Sequence, residues 1–330
     1  MSGRTIPYHL RQNKAVDRYA FVELLAKIDR LLPISKYEYI GFGGHSLEEF
    51  KYIHDRFGLE NMTSIENDLE VFKRQKFNQP YSCIKRFNQE SRDFVNDYNR
   101  EINTIIWLDY VEPSKLRTQI EEFQQVILKL DVFDIVKITL NANPAAYKAA
   151  EIGASSYEIQ SSRIDKLKEI LGEEDLFPSA DISSNMMTPA EFPHALTLIL
   201  KYAANLALKG EKDICFQPLI GFSYADGQQM MTITGIILEN EDIEDFLDKT
   251  GLKVWELINL NWSKPVSINI PDLTIRERLC IDQLLPNSTP EEIHEKLGFK
   301  FDNKEKYSLD MLKTYIMFYR QSPYFSRILI

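Results

Sequence analysis

Residues 37–66 read YEYIGFGGHSLEEFKYIHDRFGLENMTSIE. An apolar run, Tyr37 to Ile40, meets Gly41, Gly43 and Gly44; a helical pattern follows, and a second short strand, Met62 to Ile65, ends on Glu66. The order is strand, tight turn, helix, strand. Glycine after a buried strand lets the backbone turn sharply and come close to a ligand, because a side chain there would clash. An acid at the tip of the next strand can accept hydrogen bonds from ribose hydroxyls. The same residues also suit an ordinary βαβ unit with a surface glutamate, so the stretch specifies an architecture and nominates a nucleoside site without deciding it.

Upstream, Arg4, His9, Arg11 and Lys14 precede the first acid, Asp17, and Tyr19, Phe21, Leu24, Leu25 and Ile28 then form the apolar face of a helix ending before Pro33. Tyr8, Arg11, Asn13 and Lys14 are candidates to fold over the ligand site and bind substrate, the two cations meeting a carboxylate or phosphate; a solvated arm is the alternative. Downstream, Leu47, Phe50, Ile53 and His54 continue a helix that stops at Gly58. A third strand is expected around Ser82 to Lys85, with Asn88, Gln89, Glu90 and Ser91 at its exit. Thr104 to Leu108 is a fully buried strand delivering Asp109 and Tyr110, a helix covers Ser114 to Leu130, and a fifth strand, Phe133 to Leu140, ends in Asn141 and Asn143. Strands alternating with helices imply a parallel, doubly wound sheet whose ligands sit at the carboxyl ends of the strands. Every polar candidate after the first strand lies at such an end. The last two strands, Ile214 to Tyr224 and Met230 to Leu238, are joined by Ala225-Asp226-Gly227-Gln228 and must form an antiparallel hairpin.

The 330 residues carry a net charge of −10, which argues against a polyanion held by bulk charge. Cys83, Cys215 and Cys280 are far apart, show no metal-ligand spacing and fit a reducing compartment. No apolar run is long enough to span a bilayer, and the first residues lack the apolar core of a signal peptide. The expectation is a bacterial-style cytoplasmic protein.

YIGFGG, MTSIE, IIWLDY, ITLNANP and FQPLIGFSYADG, in that order along the chain, together resemble the class I S-adenosylmethionine-dependent methyltransferases, with their Rossmann-like sheet, and among them bacterial O-methyltransferases. The resemblance covers roughly residues 1 to 245. It implies S-adenosylmethionine as cofactor, with Gly41, Phe42, Gly43 and Gly44 in the loop facing its methionine part, Glu66 on the ribose, Asn88 to Ser91 at the adenine edge, and Asp109 and Tyr110 facing the methyl group and acceptor. One departure stands out. The acid usual two residues before the first glycine is Tyr39 here, which leaves the methionine amino group without its expected partner. No DPPY or NPPY tetrapeptide of nucleic-acid amino-methylating enzymes follows the fourth strand.

Methyl transfer to a hydroxyl needs an in-line nucleophile and a group to take its proton. Asp109 is the first candidate for base, then His45 beside the glycine cluster, then His54; Tyr110 and Asn141 complete the catalytic and acceptor-side set. No spacing points to a metal, although Glu66, Asp68, Asp109 and Asn141 are oxygen ligands in principle. Residues 246–330 read as a separate helical appendage with capping boxes at Thr274/Glu277 and Thr289/Glu292 and a third helix after Ser308. Its acidic second helix disfavours DNA, and its aromatic end suits packing on the main domain or a homodimer. The leading expectation is a methyltransferase acting on oxygen or nitrogen of a small acceptor, an anionic one included. The alternative is a catalytically inactive methyltransferase-like sensor or scaffold working through an operon-encoded partner; a nicotinamide dehydrogenase is disfavoured by the terminal hairpin.

Overall fold

A computed structural model describes residues 11–147 and 153–323. Eight strands form one sheet in the order β3-β2-β1-β4-β5-β7-β6-β8. In chain order they are β1 (Glu38–Gly41), β2 (Asn61–Glu66), β3 (Ile84–Asn88), β4 (Thr104–Asp109), β5 (Ile135–Asn141), β6 (Ile214–Asp226), β7 (Gln228–Glu239) and β8 (Val266–Ile268). The first five pair in parallel, and β7 is antiparallel to both β5 and β6, as the run of buried strands followed by a hairpin predicts. Because β7 is reversed, β6 runs in the same direction as β5. The hairpin tip at Gly227, where φ is +104°, therefore lies on the same edge as the carboxyl ends of β1 to β5.

Alternating side chains send Tyr39, Ile105, Trp107 and Ile135 to one core and Ile40, Ile106, Leu108 and Val136 to the other. The first core is covered by α1 (Gln12–Ile28), α2 (Glu48–Phe57) and the later helices α8 (Ile243–Thr250), α9 (Ile275–Asp282), α10 (Pro290–Leu297) and α11 (Glu305–Phe318). The second is covered by α4 (Ser91–Asp97), α5 (Leu116–Lys129), α6 (Ser156–Leu171) and α7 (Phe192–Ala207), while α3 (Leu69–Asn78) follows β2.

Three details differ from the sequence reading. The third strand begins at Ile84 rather than Ser82, since only Ile84 of its five residues is buried and an edge strand leaves little apolar pattern to read. The helical part of the N-terminal segment begins at Gln12 and takes in Lys14, with Arg11 at its N-cap. The last helix starts at Glu305; Ser308 sits inside it, buried, its Oγ accepting from Phe301 N at 3.0 Å and Asp302 N at 3.1 Å to close the preceding loop. Both capping boxes are present, and Gly298 ends α10 in the left-handed conformation. Beyond residue 245, β8 extends the sheet, and Ile281, Ile293, Leu312, Tyr315 and Phe318 share the first core with α1.

Candidate active site

The loop after β1 owes its shape to two glycines in different ways. A Cβ on Gly43 would lie 2.2 Å from Leu47 Cδ2 and 3.0 Å from both a Phe50 ring carbon and Ser64 Oγ, so this glycine is demanded by internal packing. Gly44 has φ +51° and would place its Cβ in open space, with nothing within 4 Å. The loop is pinned from α3: Gln75 Nε2 donates to Gly44 O at 2.7 Å, Ser64 Oγ donates to Gln75 Oε1 at 3.4 Å, and Asn78 Nδ2 donates to His45 O at 2.8 Å. His54 belongs elsewhere; its Nδ1 lies 2.9 Å from Leu59 O and its ring 4.2 Å from that of Tyr81.

At the next two strand ends, Glu66 Oε1 accepts from Asp68 N at 2.9 Å, and Asn88 Nδ2 and Gln89 N both donate to Glu66 O, at 2.7 and 3.2 Å. Glu66 is half-buried, and that burial pushes its carboxyl above the usual range. Asn67 Nδ2 donates to Glu90 Oε1 at 3.1 Å. Ser91 Oγ donates to Glu122 Oε2 at 2.7 Å, and the buried Tyr110 hydroxyl donates to the same oxygen. Burial and the Glu122 charge raise the Tyr110 phenol well above its ordinary value, and its ring lies edge-on to that of Phe42 at 5.4 Å.

Over the other half of the rim, α1 brings three charged side chains inward at positions i, i+3 and i+4. Lys14 Nζ is 2.6 Å from Asp109 Oδ2, Lys137 Nζ is 2.7 Å from Asp17 Oδ1, and Arg18 Nε is 2.6 Å from Glu49 Oε1. The Asp17–Lys137 pair is wholly buried; Thr232 Oγ1 donates to Asp17 at 2.9 Å, and the Lys137 ammonium lies 4.5 Å from the Trp107 ring centre. Burial lowers the proton affinity of Lys137 despite Asp17. Asp226 at the hairpin tip caps α1 from a distance, accepting from Lys14 N at 2.8 Å and from Asn13 Nδ2 at 3.0 Å. Asn13 Oδ1 in turn accepts from Ile270 N at 3.0 Å, so this side chain joins α1 to the hairpin and the residues after it. Arg11 stands at the N-cap of α1. Asn141 ties the loops after β4 and β5, donating to Val111 O at 3.2 Å and accepting from Asn143 N at 3.0 Å. Tyr8 lies outside the described residues.

A family model described as "Putative O-methyltransferase" matches residues 6–330. The chain belongs to this family. No curated protein matches it. Among solved structures it is similar to P. horikoshii TYW2 in complex with MeSAdo, at 12% identity over 72% of this chain and 67% of that one, with a TM-score of 0.39. It is also similar to a Methanococcus jannaschii fibrillarin pre-rRNA processing protein, at 13% identity over 62% and 69% of the two chains and a TM-score of 0.32. The plantazolicin methyltransferase BpumL in complex with a desmethylPZN analogue and SAH matches at 8% identity over 68% and 85%, with a TM-score of 0.39.

The glycine loop, Glu66, Asn88 to Ser91, Asp109, Tyr110 and Asn141 thus share one edge of this methyltransferase-family sheet. Asp17, Arg18, Glu49, Gln75, Glu122, Lys137, Tyr224 and Asp226 are the residues of this edge that sequence reasoning passed over. One was detectable: Lys137 interrupts the apolar run IVKITL, and a cation inside a buried strand requires a buried counter-charge. Among the described residues, no group of three or more His, Cys, Asp or Glu is arranged to hold a metal ion, and no helix is long and apolar enough to cross a membrane.

Proposed function

We propose that the protein transfers a methyl group from S-adenosylmethionine to an oxygen or nitrogen of a small acceptor. The observation that carries this reading is the meeting, on one rim, of the loops after β1, β2, β3 and β4, with the Cβ direction of Gly44 facing open space. Family membership gives the reaction class. The residues present suit such a donor: Glu66 retains a second carboxylate oxygen for ribose hydroxyls, Asn88 to Ser91 border the neighbouring loop, and the buried Glu49 Oε2 is an acceptor with no partner among the described residues. When bound, the donor supplies an electrophilic methyl on a sulfonium, which leaves as a neutral thioether when the acceptor bonds to carbon.

The chain's part is binding, orientation and exclusion of water. Phe42 and Tyr110 form an aromatic wall on one side of the rim, and α1 closes the other. Asp109 is the group nearest in sequence and topology to the acceptor side; it takes the acceptor proton or holds the acceptor through Lys14. Since Lys14, Arg18 and Lys137 each face a carboxylate, a neutral hydroxyl or amine acceptor fits this half better than an anion. A homodimer would need a surface other than the Leu312, Tyr315 and Phe318 face of α11, which is spent on the chain's own core.

Calorimetric titration of the full chain with S-adenosylmethionine and S-adenosylhomocysteine tests the reading. Saturable binding of both at submillimolar concentration is expected, and absence of heat at millimolar ligand would reject it.

A further inference from the structure

Tyr39 occupies the place beside the glycine loop where an acid would be needed for a cationic guest, and the fold brings a carboxylate there by another route. The fully buried Tyr39 hydroxyl lies 3.0 Å from where a Cβ of Gly41 would stand, so it rests against the loop backbone. Burial first, and then the nearby Glu49 and Asp109 charges, hold the Tyr39 phenol well above its ordinary range. Glu49 comes from the first turn of α2, immediately after the loop. Leu47, held in the left-handed region at φ +55°, turns the chain so that the helix begins with Glu49 directed inward, 5% exposed.

Its two oxygens are unequal. Oε1 receives Arg18 Nε at 2.6 Å, whereas Oε2 is buried and has no hydrogen-bond partner among the described residues. A buried acceptor without a partner is unfavourable, and it is open to a donor brought by a ligand. Asp17 Oδ2 is buried and unpartnered as well, but that carboxylate is turned to the sheet, where Lys137 and Thr232 both hold Oδ1, and Asp109 Oδ2 is engaged by Lys14. S-adenosylmethionine carries two cations, an ammonium and a sulfonium, against one carboxylate. Its amino-acid end therefore calls for an acidic receptor, and three ammonium N–H donors match an orphaned carboxylate oxygen.

We propose that Glu49 receives the ammonium of the methyl donor through Oε2, with Arg18 as the positioning residue that fixes the other oxygen. The inference rests on the cofactor reading above. It replaces the missing strand acid with one supplied from the following helix, across the loop.

The test compares three ligands that share the nucleoside but not the amino-acid end: S-adenosylmethionine, S-adenosylhomocysteine and 5′-methylthioadenosine, titrated into the full chain. Wild type is expected to bind all three. Glu49→Gln should weaken the two amino-acid-bearing ligands by about tenfold or more while leaving methylthioadenosine within about twofold, and Glu49→Asp should restore part of the difference. Equal weakening of all three, or of none, overturns the proposal, since the residue would then be structural or idle. If Glu49→Gln does not fold, Glu49→Asp carries the comparison: its preference for S-adenosylhomocysteine over methylthioadenosine should fall, and an unchanged preference overturns the proposal. Wild type binding none of the three overturns the cofactor reading itself, before any substitution is made.

Discussion

Over β2 and β3 the carboxyl edge ends in side chains that solvent reaches, Glu66, Asn88 and Glu90, whereas over the other half Asp109 at the end of β4, and Lys137 and Thr232 further down β5 and β7, pair with α1. The open half spends its hydrogen bonds locally, between residues of adjoining loops. The closed half joins residues distant in sequence, and Asp17–Lys137 there is fully buried. Strand ends alone explain why both halves are polar. They do not explain why only one is sealed. A ligand with a sugar and base at one end and a reactive methyl at the other gives a reason: the nucleoside can be read from solvent, while the reacting end is better kept from water. The two halves should accordingly respond to substitution in opposite currencies, stability on the closed side and affinity on the open side.

The largest effect is expected from the closed half. Asp17→Ala would leave the Lys137 ammonium buried without its counter-charge, at a cost of about 3–5 kcal/mol in unfolding free energy. Denaturant unfolding measures this directly. Replacing both partners, Asp17→Leu with Lys137→Met, should recover most of the loss, because two well-packed apolar groups need no counter-charge. A double variant as unstable as the single one would mean that Thr232 and Trp107, rather than the charge pair, hold this region. The pH dependence has a defined sign. Lys137 is lowered by burial, so the unfolded chain binds more protons between that depressed value and the ordinary lysine value of about 10.4, and this residue's contribution to stability rises with pH across that window.

In the open half, Glu66→Ala removes a half-buried carboxylate that contacts only its own loop. Stability should change little, while S-adenosylhomocysteine affinity should fall about 10- to 100-fold if the ribose hydroxyls bind there. Because burial raises this carboxyl, the group protonates at a higher pH than a free glutamate, and nucleoside binding should weaken as pH falls through that raised value. Titrations at several pH values with wild type and Glu66→Ala check both: the acid limb of the wild-type profile should be absent in the variant. Identical profiles would remove Glu66 from the ribose contact.

The same division accounts for what could be read from sequence. Buried parallel strands announce themselves as apolar runs, and the hairpin by Asp226-Gly227 between two such runs, so seven of the eight strands were legible; β8 has three residues and exists only because β6 offers it an edge. The open half of the site was legible as well, because polar residues immediately after apolar runs are a local signal. The closed half was legible only in part: Asp109 and Asn141 follow apolar runs, and Asn13 and Lys14 stand out as polar groups ahead of the first strand. The pairings were not legible, because the partners of Lys14, Asp17 and Arg18 lie 95, 120 and 31 residues away. Tertiary pairing turned an apparently polar helix into one buried on most sides, and no periodicity anticipates that. Glu49 was hidden for the same reason, reading as an ordinary acid in the first turn of a helix.

The smallest effects distinguish two glycines one residue apart. Gly43→Ala forces a methyl to within 2.2 Å of Leu47 Cδ2 and 3.0 Å of Ser64 Oγ, an overpacking expected to lower stability by about 1–3 kcal/mol, and affinity only as far as the loop shifts. Gly44→Ala meets no atom within 4 Å, so its stability cost is limited to the left-handed backbone at φ +51°, about 1 kcal/mol. Its methyl, however, would occupy the open space from which the donor must approach the loop. Thermal unfolding and S-adenosylhomocysteine titration on both variants should therefore rank them in opposite order: Gly43→Ala the less stable, Gly44→Ala the weaker binder. If Gly44→Ala binds as wild type does, the donor does not pass over that face of the loop, and the glycine is there for its backbone angle alone.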